Sequence, residues 1–267
     1  MITISKLNNA KDYYDHGKYL KSFVAVLEFL GREPRNKKAL RLKADLCVVI
    51  GKLPEAIEAC QIYISLCEGD DQFWEKCYSL RMIGSAYWQL KNPDLSMAYY
   101  QKLLEEYERF YDLGMDEYSE PVILTLLTIG EHQTILGKDS EAIATYEKLL
   151  RLYSKHGPLE GIANSFYEIG RIYYQQNDLA KALPKFLRAV SIYETLKESV
   201  SYGHGHYYLG CIFFVRKEFT KSLTHFNSSI TYLEGFYAGI YDEANAEDDP
   251  FYRRAVRLRE CLRKESL

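Results

Sequence analysis

Proline is scarce in this sequence, with 7 residues in 267, and no run of 18 or more apolar residues occurs. Proline breaks the hydrogen-bond ladder of a helix interior, so its scarcity is compatible with many long helices. The missing apolar run predicts no membrane-spanning helix. Residues 1–6 also lack the apolar core of a signal peptide.

The sequence is also poor in net charge and in the spacings that bind metals. A net charge of −3 makes a nucleic-acid partner unexpected, because such surfaces are strongly basic. The six cysteines form no C-x-x-C pair and no Cys/His metal spacing. We therefore expect no metal or other cofactor, and reduced thiols predict a cytoplasmic protein.

Linear signatures of catalysis are missing as well. The sequence has no nucleophile–base pattern, no glycine-rich phosphate loop and no carboxylate pair of the acid–base type. In Gly203-His204-Gly205-His206 the two histidines point in different directions on a helix, so a metal site is not expected there. We expect the two glycines to loosen the start of a helix. These absences predict a protein that is not an enzyme.

A repeated frame is the main positive feature. Glycines 84, 130, 170 and 210 occupy the same place in four similar hexapeptides, and Gly17-Lys18 is echoed by Gly51-Lys52. A small residue recurs in the frame, and a larger side chain follows it by four positions. The small residues are Ser22, Ala56, Ser96, Ala142, Ala182 and Ser222; the larger ones are Val26, Cys60, Tyr100, Tyr146, Phe186 and Phe226.

This frame resembles the tetratricopeptide repeat (TPR), in which each unit is a pair of helices. The resemblance implies an all-α fold, a right-handed superhelical solenoid of about six helix–turn–helix repeats in a single array over 1–267. We place the repeats at 3–36, 37–70, 77–110, 123–156, 163–196 and 203–236. Asp249-Pro250 is a helix start signal, and the apolar spacing after it predicts a capping helix over 250–265. The 40-residue spacing of the later repeats is similar to that of spindle-orientation and rapsyn-like scaffolds.

The pattern also predicts how each pair packs. The glycine and the small residue let two helices approach closely, and the larger side chain fills the space beside them. Cys47 and Cys60 occupy ring positions of the second repeat, which predicts that they fill the core. Gly137 can end a helix in the left-handed conformation. Asp139 or Ser140 can then cap the next helix.

The resemblance implies a concave groove lined by the first helix of each pair. We expect its contact residues to be Arg81, Trp88, Glu131, Tyr167, Arg171, Tyr174, His204 and Tyr207. Tyr, Trp and Arg are the side chains that commonly anchor interfaces. The alternative for each ring is packing against the next helix. Neither the charged clamp for a C-terminal carboxylate nor the asparagine ladder known in this family is present.

The functional hypothesis is a non-catalytic scaffold or adaptor that binds a protein or peptide partner in this groove. One alternative is a structural subunit that acts through self-association or within a larger complex, so a homo-oligomer is considered. It is motivated by the tyrosine content, 24 residues, and by a first repeat whose helix pair lacks an outer partner. Another alternative is the sensor domain of a peptide-regulated protein.

Overall fold

The computed structural model describes residues 2–67, 69, 72–111, 119–196, 200–240 and 246–265. Within these ranges the chain forms thirteen α-helices and no strand, so the all-α prediction is confirmed. The helices are α1 (Ile2–Asp15), α2 (Tyr19–Leu30), α3 (Lys37–Val49), α4 (Leu53–Ser65), α5 (Phe73–Gln89), α6 (Pro93–Tyr111), α7 (Ser119–Ile135), α8 (Asp139–His156), α9 (Leu159–Gln175), α10 (Leu179–Leu196), α11 (Val200–Val215), α12 (Phe219–Ile240) and α13 (Pro250–Glu265). A 3₁₀ turn, Ala246–Asp248, precedes the last helix. None of the described helices is long and apolar enough to cross a bilayer.

The first twelve helices follow one another as six pairs, each joined by the same tight turn. One residue of each turn has a positive φ between 59° and 77°. These residues are Gly17, Gly51, Lys91, Gly137, Asn177 and Lys217. The next backbone N–H bonds back into the helix, for example from Lys138 to the Gln133 carbonyl at 2.9 Å, which is the Schellman pattern. The prediction for Gly137 is confirmed.

The expected cap at the start of α8 is wrong. Lys138 is the residue before the first helical turn, and its side chain makes no capping hydrogen bond. Asp139 is already helical because the tight turn places the helix start one residue earlier. Its carboxylate instead lies in the first turn, where negative charge complements the helix dipole.

Glycines in the first helices make room for rings of the second helices, as the pattern predicts. A Cβ placed on Gly84 would lie 3.0 Å from the Tyr100 ring, and one on Gly130 would lie 3.1 Å from the Tyr146 ring. The same relation joins Gly170 to Phe186 and Gly210 to Phe226.

Serine at the small-residue position adds a hydrogen bond across the pair. The Ser22 hydroxyl donates to the Ala10 carbonyl at 2.6 Å, and Ser96 donates to the Gly84 carbonyl at 2.8 Å. Each serine is fully buried. A buried hydroxyl needs such a partner, so these bonds explain why serine and alanine both fit the position.

Gly203 and Gly205 have a packing role that the sequence did not indicate, and their expected loosening of the helix start stays a prediction. Both are buried within α11. A Cβ would lie 2.7 Å from Leu233 at the first position and 2.7 Å from Val190 at the second. They are therefore close-packing positions against α12 and α10.

By its internal contacts the chain divides into two compact units, residues 1–125 and 126–267. In the described parts of both units, packed helices are neighbours or next-but-one neighbours along the chain. This short range is typical of repeat architectures. The single array and the repeat boundaries stay predictions.

Helix α13 covers the end of the second unit. It packs on α12 and α11, as α11 packs on α10 and α9. Its buried side chains Ala255 and Leu262 join Tyr207, Phe226 and Ile230 in one apolar cluster. The apolar spacing of the sequence therefore faces the core.

Candidate functional site

A groove of about 480 Å³ opens on the first-helix face of the second unit. Leu127, Glu131 and Thr134 line it from α7 at helical spacing. Further lining residues come from α8, α9 and α11: Tyr146, Asn164, Ser165, Tyr167, Glu168, Arg171 and Ser201, with Ile135 completing the α7 side. The groove thus brings together three of the predicted contact residues, Glu131, Tyr167 and Arg171.

Three charges decide the electrostatics of this groove. The Arg171 guanidinium donates to the Glu168 carboxylate at 3.3 Å. Burial raises the pKa of Glu168, the Arg171 charge opposes that rise, and Glu131 adds to it. Glu131 is exposed, and among the described residues no cation pairs with it. The groove therefore carries one uncompensated negative charge.

Asn164 presents hydrogen-bond donors to the groove. Its side-chain carbonyl accepts a hydrogen bond from the Tyr193 hydroxyl, which fixes the orientation of the amide. One side of an asparagine amide accepts and the other donates. The two N–H groups bond to no acceptor within the described ranges, so they can donate to a ligand. An amide held in this way suits the carbonyl oxygens of a peptide backbone.

Two tyrosines form the base of the groove. Tyr146 is 2% exposed and Tyr167 is 6% exposed, so most of each ring is packed. Burial raises the pKa of both hydroxyls above the ordinary tyrosine value. They stay protonated near neutral pH and can act as neutral hydrogen-bonding groups.

A second groove, of about 420 Å³, lies in the first unit. The Tyr78 hydroxyl donates to Asp45 at 2.6 Å, and the Arg41 and Arg81 guanidinium carbons lie 4.4 and 5.6 Å from the centre of its ring. Arg81, a predicted contact residue, therefore lines this second groove and not the groove that Glu131 lines. Trp88 is half-buried in the same unit and does not line this groove.

The remaining predicted contact residues lie next to α13. His204 Nε2 is 2.8 Å from Asp249 Oδ2, and its ring stacks on Phe251 with centres 4.1 Å apart. Tyr207 is 8% exposed and contacts the Phe251 ring edge-on. Tyr174 packs against the same apolar cluster. His204 and Tyr207 therefore contact the chain's own final helix, which the helical spacing of α11 alone does not reveal.

Sequence reasoning did not select Asn164 or Glu168 as contact residues. Asn164 stands at an inner-face position of its repeat, so the helical spacing alone points to it. Glu168 pairs with Arg171, three residues further along the same helix, so this contact follows from helical spacing. Only the folded chain brings Glu131 of α7 close to Glu168.

Cysteine and histidine clusters offer no second kind of site in the described part of the chain. No three side chains of His, Cys, Asp or Glu converge there as a metal ion would require. Cys47 and Cys60 are buried, which confirms them as core residues. Burial raises their pKa to about 11 and about 12, so these thiols are poor nucleophiles.

Comparison with known families gives three matches along the chain. Three models, each described as a tetratricopeptide repeat, match residues 7–71, 79–109 and 122–195. A relative from Arabidopsis thaliana, "Protein KINESIN LIGHT CHAIN-RELATED 2", is 32% identical over 114 residues. That alignment covers 42% of this chain and only 17% of the relative.

Solved structures share the fold at low sequence identity. The apo form of RapI aligns with a TM-score of 0.63 and 15% identity, covering 97% of this chain and 85% of that one. BtubC from P. vanneervenii aligns with a TM-score of 0.59 and 14% identity, covering 90% and 94%. At such identities the likeness concerns the fold alone.

Proposed function

Since the chain belongs to the tetratricopeptide repeat family, we propose that it is a non-catalytic adaptor that binds a partner segment in the groove between α7, α9 and α11. The groove geometry supports this proposal. The groove is lined by an oriented amide, by two neutral hydroxyls and by the Glu131 carboxylate, which pairs with no cation in the part of the chain that the structure describes. The free thiols of all six cysteines support a cytoplasmic location.

The chemistry of the groove favours an extended segment that carries a basic side chain. Glu131 is exposed and has no cation partner in the described structure, so a lysine or arginine of the partner can pair with it. Arg171 is already paired with Glu168, so an acidic segment gains less there. The amide of Asn164 supplies a donor for a backbone carbonyl of the segment.

A peptide selection tests the proposal. Random dodecamers displayed on phage are selected against the full chain, and we expect enrichment of lysine and arginine. The best peptide is then labelled, and its Kd is measured by fluorescence anisotropy. Glu131→Gln should weaken binding by up to about fivefold, the upper end of the range for one exposed ion pair.

Glu147→Gln is the matched control, because Glu147 is an exposed glutamate on the second helix α8, outside the groove. It should leave the Kd unchanged. Selection of no peptide, or equal binding by the Glu131→Gln variant and the wild type, would rule out this groove as the binding site.

A further inference from the structure

Helix α2 exposes an apolar stripe, defined by Leu20, Val24 and Leu27. Their exposed fractions are 70%, 56% and 42%. The spacing of four and three residues places them on one face of the helix. The opposite face is buried through Ser22, Val26 and Phe29, so the stripe is not needed for the core of the first unit.

No other second helix in the described chain carries three large apolar residues at these places. Leu20, Val24 and Leu27 are the third, seventh and tenth residues after the left-handed turn residue of their pair, Gly17. The later pairs carry there Pro54, Glu58 and Gln61; Asp94, Ala98 and Gln101; Ser140, Ala144 and Glu147; Ala180, Pro184 and Leu187; and Thr220, Thr224 and Asn227. The stripe is therefore a feature of α2 and not of the repeat.

Two charges flank the stripe, and their arrangement indicates what covers it. Lys21 lies beside Leu20, and Glu28 lies beside Leu27. Both side chains are exposed, and neither has an ion-pair partner among the residues that the structure describes. The helix thus carries a positive charge towards one end of the stripe and a negative charge towards the other.

We infer that the α2 stripe is a self-association surface, on which the α2 helices of two copies pair antiparallel about a two-fold axis near Val24. This pairing sets Leu20 of one copy against Leu27 of the other. It also sets Lys21 against Glu28, twice by symmetry. One register, centred within half a residue of Val24, therefore satisfies both the apolar and the charged contacts, as an isologous interface requires.

The small extent of the stripe predicts a weak dimer. Three side chains on each copy bury less surface than a standard stable interface of about 1,600 Å². We expect a weak and transient dimer, as is usual for interfaces below the standard size. Dimers should therefore form only at high concentration.

Sedimentation velocity on the full chain, from about 1 to 200 µM, tests this inference. Wild type should shift from monomer to dimer. Val24→Glu should weaken association at least tenfold, because two carboxylates would meet on the axis. Leu187→Glu is the control. It changes an exposed leucine of α10 at the place that corresponds to Leu27, and it should leave association unchanged.

A charge exchange tests the antiparallel register. Lys21→Glu and Glu28→Lys should each weaken association severalfold, and the double variant should restore it, because each copy then offers the reversed pair. A strict monomer at all concentrations, a dimer insensitive to Val24→Glu, or a double variant no better than the single ones would overturn the inference. Peptide binding by a monomeric chain would still leave the groove proposal standing.

Discussion

At the scale of single residues, the position of each ring depends on the glycine opposite it. Gly210 shows the tightest of the four approaches, with a Cβ position 2.7 Å from the Phe226 ring. Phe226 is fully buried, so it cannot move away freely. Close packing in a protein core tolerates few extra atoms.

Gly210→Ala should therefore destabilise the protein by about 1–3 kcal/mol, the usual cost of overpacking a core. Gly235→Ala is the control, since Gly235 is an exposed helical glycine with nothing within 4 Å of its Cβ position. That change should stabilise by about 0.5–1 kcal/mol through helix propensity. Urea unfolding measures both. If Gly210→Ala left the free energy of unfolding unchanged or increased it, Phe226 would not limit this site.

Turn residues show where local sequence is ambiguous. At Gly17, Gly51 and Gly137 the glycine itself indicates a left-handed turn. Lys91 and Lys217 adopt the same conformation, although lysine does not indicate it in the sequence. A left-handed lysine costs free energy locally. The packing of the two helices that the turn joins must offset that cost, so only the folded pair reveals these turns.

At the scale of elements, Asp249 attaches α13 to the second unit. One carboxylate oxygen accepts the backbone N–H groups of Phe251 and Tyr252. The other lies within 2.9 Å of the Tyr237 hydroxyl and of His204 Nε2. Burial raises the pKa of Asp249, but the bonds to His204, Tyr237 and the backbone outweigh it and hold the pKa at about 2.

Asp249→Ala should cost about 3 kcal/mol, because it removes a helix cap and leaves buried donors without an acceptor. Hydrogen exchange should show the loss in residues 200–265 and little change in residues 2–111, since packed helices are close neighbours along the chain. Asp248→Ala, at an exposed neighbouring position, should have little effect. Uniform deprotection of the whole chain would contradict this expectation.

Helical spacing places Tyr167 and Arg171 on one face of α9, because they lie four residues apart, and the fold adds Glu131 of α7 to the same groove. That these residues contact a partner stays a prediction. Helical spacing could not show that α13 packs against His204 and Tyr207. That contact joins segments about 45 residues apart in the sequence, so the spacing of residues within one helix does not predict it.

At the scale of the whole molecule, acid sensitivity should be unequal between the two units. His206 Nδ1 lies 2.9 Å from His225 Nδ1. Burial and the neighbouring His225 lower the pKa of His206 to about 4, and burial lowers the pKa of His225 and His132. All three histidines belong to residues 126–267.

A histidine with a lowered folded pKa stays neutral in the folded state, while the unfolded chain takes up a proton near pH 6.5. The free energy of unfolding should therefore fall as pH drops from about 6.5 towards 4, by roughly 2 kcal/mol from His206 down to pH 5. Hydrogen exchange at pH 7 and pH 5 should show the loss in residues 200–240. His206→Asn should reduce this pH dependence, and an unchanged dependence would contradict the assignment.

By itself, the sequence determined the helical class, the repeat family and the pairing of glycines with rings, because these depend on residues within one helix pair. Tertiary structure decided the rest: α13 covers His204 and Tyr207, Tyr193 orients the amide of Asn164, and the stripe on α2 remains uncovered. These outcomes depend on which faces meet between elements distant in sequence. A degenerate repeat pattern places the same face on every pair and cannot distinguish them.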